Sequence, residues 1–298
     1  MKEGFLNLFV SILVAVVALL MVLSMTTSVG GLWAEYFLRY LPHAGLLLLI
    51  GLFFVEGVIR YVAILLIVGI AAMLAMPFTS KDFSKEDSKR ISYNVMYVDL
   101  GTENPNQTGE VDNIAQVKPD ILITGSANST NFTEIKKIRK LFRSVPCSHI
   151  GKNDESLIVF SNVPLQCKMI KQGNYAFAHL LLKNDRALFA VKAPKPVNSE
   201  TYEERNAYFE ALAAYIAKNN KNEKVVIGTF NAPPYSNALR TFASGDLDLV
   251  SSTQYFKPTN YPEMTRLDFA FMRQSEILSQ GAILPHVGKN AAQTVLFY

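Results

Sequence analysis

Apolar residues crowd into the first quarter of this 298-residue chain, and that unevenness limits its fold more than any other feature. A single soluble domain spreads its core residues along its length. Here Gly4 to Leu23 carries one strongly polar side chain, Asn7. About 20 such residues suffice to cross a hydrocarbon core roughly 30 Å thick. A second apolar run goes from Ala44 to Ile59 and a third from Tyr61 to Phe78, with Glu56 and Arg60 near their junction. Charges at such a place sit in a turn or snorkel to the headgroups. The sequence therefore predicts an anchor over residues 1–80 with three transmembrane helices, at about 4–23, 44–59 and 61–78. A cleaved signal peptide fits less well, because residues 20–30 lack a small-x-small site and further apolar runs follow.

Few basic residues flank these helices. Lys2 precedes the first, Arg60 lies in the second turn and Arg39 opposes them from the first loop. The positive-inside rule favours a cytoplasmic N-terminus. Three crossings then put the remainder outside the cytoplasm, in the periplasm of a bacterial inner membrane; a re-entrant second run would return it to the cytoplasm.

The charged residues before position 81 are Lys2, Arg39 and Arg60 against Glu3, Glu35 and Glu56, which leaves 26 basic and 22 acidic side chains in the rest. That near balance excludes a nucleic-acid footprint, and no specific nucleic-acid partner is expected. Cys147 and Cys167 are bridged if the domain faces an oxidising compartment, or stand as two buried thiols. Neither belongs to a cluster with metal-ligand spacing. Sequons occur at Asn106, Asn128 and Asn131, and matter only in a host that glycosylates exported proteins.

Residues 81–90 are rich in Ser, Lys, Asp and Glu and read as a solvated linker. From 91 to 298 strands and helices alternate. Strands are predicted at Ile91–Val98, Asp120–Thr124, Ser156–Ser161, Tyr175–Leu182, Arg186–Ala193, Lys224–Phe230, Leu247–Ser251, Leu267–Met272 and Thr294–Tyr298. Helices are predicted at Glu110–Val117, from Asn131 with Glu134 completing a capping box, from Thr201 with Glu204 doing the same, and at Ser236–Ala243. The basic face of the second of these, with Lys136, Lys137, Arg139, Lys140 and Arg143, reads first as a solvated surface and otherwise as a site for anionic headgroups. The fold class is N-terminal transmembrane helices followed by an α/β domain, a four-layer sandwich of two mixed β-sheets flanked by helices.

Several short motifs in this order resemble the endonuclease/exonuclease/phosphatase superfamily, in particular its membrane-anchored bacterial members. The Asn of the family's opening strand is matched by Asn94 in Tyr93-Asn94-Val95, and its Pro-Asp start of the second strand by Pro119-Asp120. Its Gly-Asp-Phe-Asn strand end is similar to Gly228-Thr229-Phe230-Asn231, and its late Asp-containing strand to Leu267-Asp268-Phe269. Asn94, Asn231 and Asp268 are thus the remnants of the site that the resemblance implies.

Five other expected side chains are replaced. The metal-holding Glu falls on Ser126 or an immediate neighbour, and the phosphate-contacting His on Lys192. The Asp that orients the attacking water falls on Thr229, and the C-terminal Asp-His pair on Lys289 and Asn290. A hydroxyl is a poor magnesium ligand and an amide takes no proton at neutral pH. Losing a general base costs roughly 10²- to 10⁴-fold, with loss of the metal on top. Asp99, Asp246 and Asp268 would have to rebuild a metal site, with His179 or His286 as base. Alternatively Lys192 and Lys289 make a metal-free anion pocket, or simply reach solvent or pair with Asp268.

The resemblance therefore implies a catalytically inactive, membrane-anchored protein without cofactor, a scaffold or recognition component whose partners are the lipid bilayer and other membrane or envelope proteins. The competing expectation is a divergent Mg²⁺- or Mn²⁺-dependent phosphodiesterase or phosphatase acting on a lipid headgroup, nucleotide or nucleic acid.

Overall fold

A computed structural model describes residues 2–25, 31–75, 93–100, 107–126, 131–151, 156–183, 186–219, 224–233, 236, 238–239, 247–249, 268–273, 281–283 and 293–297. Helices α1 (Lys2–Met25), α2 (Gly31–Arg39), α3 (Leu41–Gly51) and α4 (Gly57–Ala75) come first. On α1, Val10, Val14, Val17 and Met21 recur at steps of four and three, which keeps them on one face. They pack with Leu41, Ala44 and Leu48 of α3 and Ala63, Ile70 and Met73 of α4. Glycines permit close approaches: a Cβ at Gly51 would meet Val10 at 3.0 Å and one at Gly45 would meet Ile70 at 3.3 Å. The other faces are apolar too and turn outward, with Leu8, Ile12, Leu19, Leu46, Leu65 and Val68 exposed. Helices apolar all round belong in a large core or a membrane.

The second predicted span is corrected. Instead of one helix over 44–59, α3 ends at Gly51, a turn follows, and α4 begins at Gly57, before Arg60 and not after it. Gly57 has φ of 60°, a form glycine adopts without steric cost, and this lets the chain reverse there. The 11 residues of α3 make a rod of about 16 Å, roughly half a hydrocarbon core. Among the described residues, Gly57–Ala75 is the helix long and apolar enough to cross a membrane; the apolar stretches Asn7–Val22 and Leu41–Gly51 are shorter.

The domain runs β1 (Tyr93–Asp99), α5 (Gln107–Val117), β2 (Ile121–Gly125), α6 (Phe132–Leu141), β3 (Ser144–His149), β4 (Leu157–Ser161), β5 (Gln166–Gln172), β6 (Tyr175–Leu181), β7 (Ala187–Lys192), α7 (Ser199–Ala217), β8 (Lys224–Thr229), β9 (Leu247–Leu249), β10 (Asp268–Arg273), β11 (Gly281–Ile283) and β12 (Gln293–Phe297). These strands form two mixed sheets, in the orders β11, β12, β1, β2, β4, β3 and β5, β6, β7, β8, β10, β9. Alternation along each strand builds the layers. Tyr93, Val95 and Tyr97 of β1 face Leu188, Ala190, Val225 and Ile227 of the other sheet. Met96 and Val98 turn the opposite way, under Ile114 of α5 and Ile138 of α6. Phe189 and Val191 likewise pack under Tyr208, Phe209 and Leu212 of α7.

The predicted strands are present where they fall on described residues, and β3, β5 and β11 are additional. All three are sheet edges, where burial on one side only leaves a weak apolar pattern. Cys147 on β3 and Cys167 on β5 form a disulfide that joins the edges of the two sheets, with Cα atoms 5.7 Å apart. Both predicted capping boxes are corrected. Asn198, not Thr201, caps α7, with Thr201 N donating to Asn198 Oδ1 at 2.9 Å. Asn131 stands at the start of α6 without a side-chain cap bond. Its amide donates instead to the carbonyls of Leu100 and Ser126, both at 2.9 Å, and it is fully buried, which leaves no room for a glycan.

Candidate functional site

Strand register delivers the site residues to one edge of the sandwich. The parallel pairing of β1 with β2 sets Asp99 beside Gly125, and that of β7 with β8 sets Lys192 beside Thr229. Antiparallel β10 brings its first residue, Asp268, opposite Thr229. Ser126 and Asn231 follow β2 and β8 in left-handed turns, with φ of 57° and 52°. Such turns suit Asn and cost a Ser about 1–2 kcal/mol, a strain that collects at functional edges.

The Lys192 ammonium is ion-paired directly to Asp99 Oδ2, and both side chains are buried. The Thr229 hydroxyl is hydrogen-bonded to Asp268 Oδ1 and lies 3.3 Å from Asp99 Oδ2 and 2.8 Å from the Tyr97 hydroxyl. Thr229 has one proton to give, so Tyr97 donates to it and it donates onward to a carboxylate. Burial, then the charges of Asp99 and Asp268, push the Tyr97 phenol well above its usual range, which keeps it a donor. For Asp99, burial alone would favour the neutral acid. The Lys192 charge, with hydrogen bonds from Lys192, Ser126 and Thr229, outweighs it and holds the carboxyl below its usual range.

Glycine permits these contacts. A Cβ at Gly125 would lie 2.5 Å from the Tyr97 hydroxyl and 3.2 Å from the Lys192 stem. Gly228 has φ of 148°, and a Cβ there would fall 1.9 Å from the Val191 carbonyl oxygen of the paired strand.

Ser126, Lys192, Thr229, Asn231 and Asp268 are therefore brought together as predicted. Asn94 is not. It lies five residues before Asp99 on β1, about 16 Å away at 3.3 Å per residue. Its N–H donates at 2.9 Å to Asp120 Oδ2 at the opposite end of the sandwich. Asp99 takes the strand-end place, and the Tyr-Asn dipeptide drew the match to the wrong end of the strand. The signal that finds Asp99 is its position beside the last residue of β2. Lys192 is not free to hold an anion either, because Asp99 already matches its charge. Lys289, Asn290, Asp246 and His286 lie outside the described residues. His179 is structural: its ring stacks on Phe189 at 4.8 Å and its Nδ1 is 3.1 Å from the Tyr215 hydroxyl.

Sequence reasoning missed a contribution from the N-terminal helices. Glu35 and Arg39 read as loop charges, yet both sit on α2 and are buried. Arg39 Nη2 donates to the Asn231 carbonyl at 2.8 Å, and Arg205 Nη1 donates to the same oxygen at 3.1 Å. Arg205 forks onto the Glu35 carboxylate, with its second contact at 2.5 Å. The Tyr36 hydroxyl donates to Pro196 O at 3.0 Å, and Asn231 Nδ2 to Ala193 O at 2.7 Å. Helix α2 thus clamps the turn that leads out of Thr229.

No protein-family profile matches the chain, and no curated protein matches it in sequence. Solved structures do match in shape. The 3′ phosphatase NExo from Neisseria, bound to a product DNA hairpin, is 12% identical over 69% of this chain and 99% of its own, with a TM-score of 0.56. Sphingomyelinase C from Streptomyces griseocarneus is 13% identical over 69% and 99%, at 0.53. Truncated TDP2 from Caenorhabditis elegans is 12% identical over 72% and 100%, at 0.52. The domain has the endonuclease/exonuclease/phosphatase fold. Members of that superfamily are phosphodiesterases and phosphatases, and the likeness at these identities is one of fold.

The endonuclease/exonuclease/phosphatase fold implies a divalent cation at this edge, and the described residues there do not fit one. A hard cation needs six or more oxygen ligands, and an ammonium group on one carboxylate would repel it. Here Asp99 carries Lys192 and Asp268 carries the Thr229 hydroxyl. Among the described residues no group of three or more His, Cys, Asp or Glu could hold a metal.

Proposed function

We propose that this chain is a membrane-anchored, catalytically inactive protein of the endonuclease/exonuclease/phosphatase fold that serves as a scaffold or recognition component among membrane or envelope proteins. The Lys192–Asp99 pair carries the reading: an internal ammonium takes the place beside the strand-end carboxylate that a catalytic cation would need. Asn231, one of the retained site residues, has its side-chain amide committed to Ala193 and its backbone carbonyl to the α2 clamp. Outward apolar faces on α1, α3 and α4 support bilayer embedding, and three crossings would require the turn after the half-length α3 to share its span. The Cys147–Cys167 bond supports an oxidising compartment such as the periplasm, because reducing cytosols keep thiols free.

The test uses the full chain in detergent, since α2 belongs to the site. Calorimetric titration of Mg²⁺ and Mn²⁺, paired with hydrolysis of a generic phosphodiester, should give neither heat nor turnover. Binding with turnover abolished by Asp268→Ala would establish the divergent phosphodiesterase or phosphatase instead, the class to which the neighbouring folds belong. Sidedness is read separately. In intact cells the cysteines should resist a membrane-permeant alkylating reagent until reductant is added, and immediate labelling would place the domain in the cytosol.

A further inference from the structure

Large exposed apolar side chains are sparse among the described residues of the domain. Among the described residues after α4, those exposed are Phe132, Leu141, Ile150 and Val197. Three of them stand at the edge that holds Asp99 and Lys192. Phe132 follows Asn131, whose amide holds the carbonyls just beyond β1 and β2. Ile150 follows His149, which pairs with Leu157, itself opposite Gly125. Val197 follows Pro196, the residue that accepts the Tyr36 hydroxyl of α2.

Exposed lysines accompany them. Lys136 Nζ lies 4.5 Å from the centre of the Phe132 ring, Lys195 immediately precedes Pro196, and Lys171 stands by the β5–β6 turn at the same end. Scattered apolar tips with ammonium groups beside them match a lipid interface, where apolar groups enter the boundary and lysines meet phosphates. Placement selects the bilayer as the occupant. Helix α2 joins α1 to α3 and is fixed by Arg39 and Arg205 to Asn231, so the edge that carries these residues is the edge turned toward the apolar bundle. Trp33 on α2, 77% exposed, marks the level at which bundle and domain meet.

We propose that the strand-end edge of the domain rests on the headgroup layer of the bilayer that holds α1, α3 and α4, with Phe132, Ile150 and Val197 as its contact points. This rests on the reading that the bundle is embedded in a bilayer. Any partner of the Asp99–Lys192 edge is then met at the membrane surface and not from bulk solvent.

Trp33 is the sole tryptophan of the chain, which makes a clean reporter. The full chain is reconstituted in vesicles of phosphatidylcholine and phosphatidylglycerol that carry a spin label near the top of the acyl chain. Single-tryptophan variants are made in a Trp33→Phe background: Phe132→Trp, Ile150→Trp, Val197→Trp, and Gln116→Trp, an exposed position near the far end of α5. Each substituted position is exposed or solvent-facing, so the core is undisturbed. Roughly twofold quenching is expected at the three edge positions, since interfacial side chains sit about 5–10 Å into the boundary. Gln116→Trp should be unquenched. If Trp33 in the native chain is quenched and the edge positions are not, the proposal falls while the embedded bundle stands. Equal quenching at Gln116→Trp would overturn it as non-specific adhesion. An unquenched Trp33 would overturn the embedded bundle itself and the proposal with it.

Discussion

At the far end of the sandwich, polar residues solve local problems. Asp120 accepts the Asn94 N–H through its side chain and the Asn162 N–H, at 2.8 Å, through its carbonyl, and these side chains keep some contact with water. At the near end, Asp99, Lys192, Thr229 and Asp268 come from four strands in two sheets, are nearly sealed from solvent, and hold each other. Water can replace a lost partner at the first end and not at the second. A buried charge left alone costs several kcal/mol, so the near end is both more constrained than the far end and more fragile.

That contrast predicts a graded series of stabilities, read by urea unfolding of the full chain in detergent. Gly228→Ala should have the largest effect, above about 4 kcal/mol or outright failure to fold, because its Cβ would overlap the Val191 carbonyl. Lys192→Met should cost about 3–5 kcal/mol by stranding Asp99, and adding Asp99→Leu should restore most of it. If the double variant is no better than the single, the ion pair is not what organises this edge.

Glu35→Ala should cost about 3 kcal/mol by removing the carboxylate under Arg205, even though Glu35 belongs to the N-terminal helices. A domain as stable without that contact would mean that bundle and domain are merely tethered. A smaller effect is a pH limb. Asp99 has a folded value below its unfolded one, so the stability it lends is full above about pH 4 and is lost as pH falls through the lower folded value. The midpoint should therefore hold steady from neutral to mildly acidic pH and then drop, whereas in Lys192→Met, where burial favours the neutral Asp99 acid, that limb should vanish and mild acid should recover part of the lost stability. The smallest change belongs to the far end: Asn94→Ala should shift stability by no more than about 1 kcal/mol, since its N–H contact to Asp120 is made by the backbone. A loss there as large as that of Lys192→Met would erase the difference between the two ends.

The apolar runs, the alternating strands and the amphipathic helices were legible because each is a periodicity within one segment. Lys192, Thr229, Asn231 and Asp268 could be placed together because they end or begin strongly patterned strands. Asn94 failed for a specific reason: a dipeptide match fixes neither the length of a strand nor which of its ends meets the neighbouring sheet. Five residues of register separate it from Asp99, and only the pairing of β1 with β2 shows which one reaches the edge.

Sequence by itself determined the apolar front and the alternation of strands and helices, since composition and local period suffice for both, while the two-sheet sandwich and the replaced site positions were expectations that the family resemblance implied. Tertiary structure alone decided that Lys192 pairs with Asp99 and that the edge strands carry a disulfide. It also decided that Glu35 and Arg39 reach across 170 or more positions to Arg205 and Asn231. These are contacts between residues far apart in the chain, and their free energy depends on burial that no single segment possesses before the sheets close.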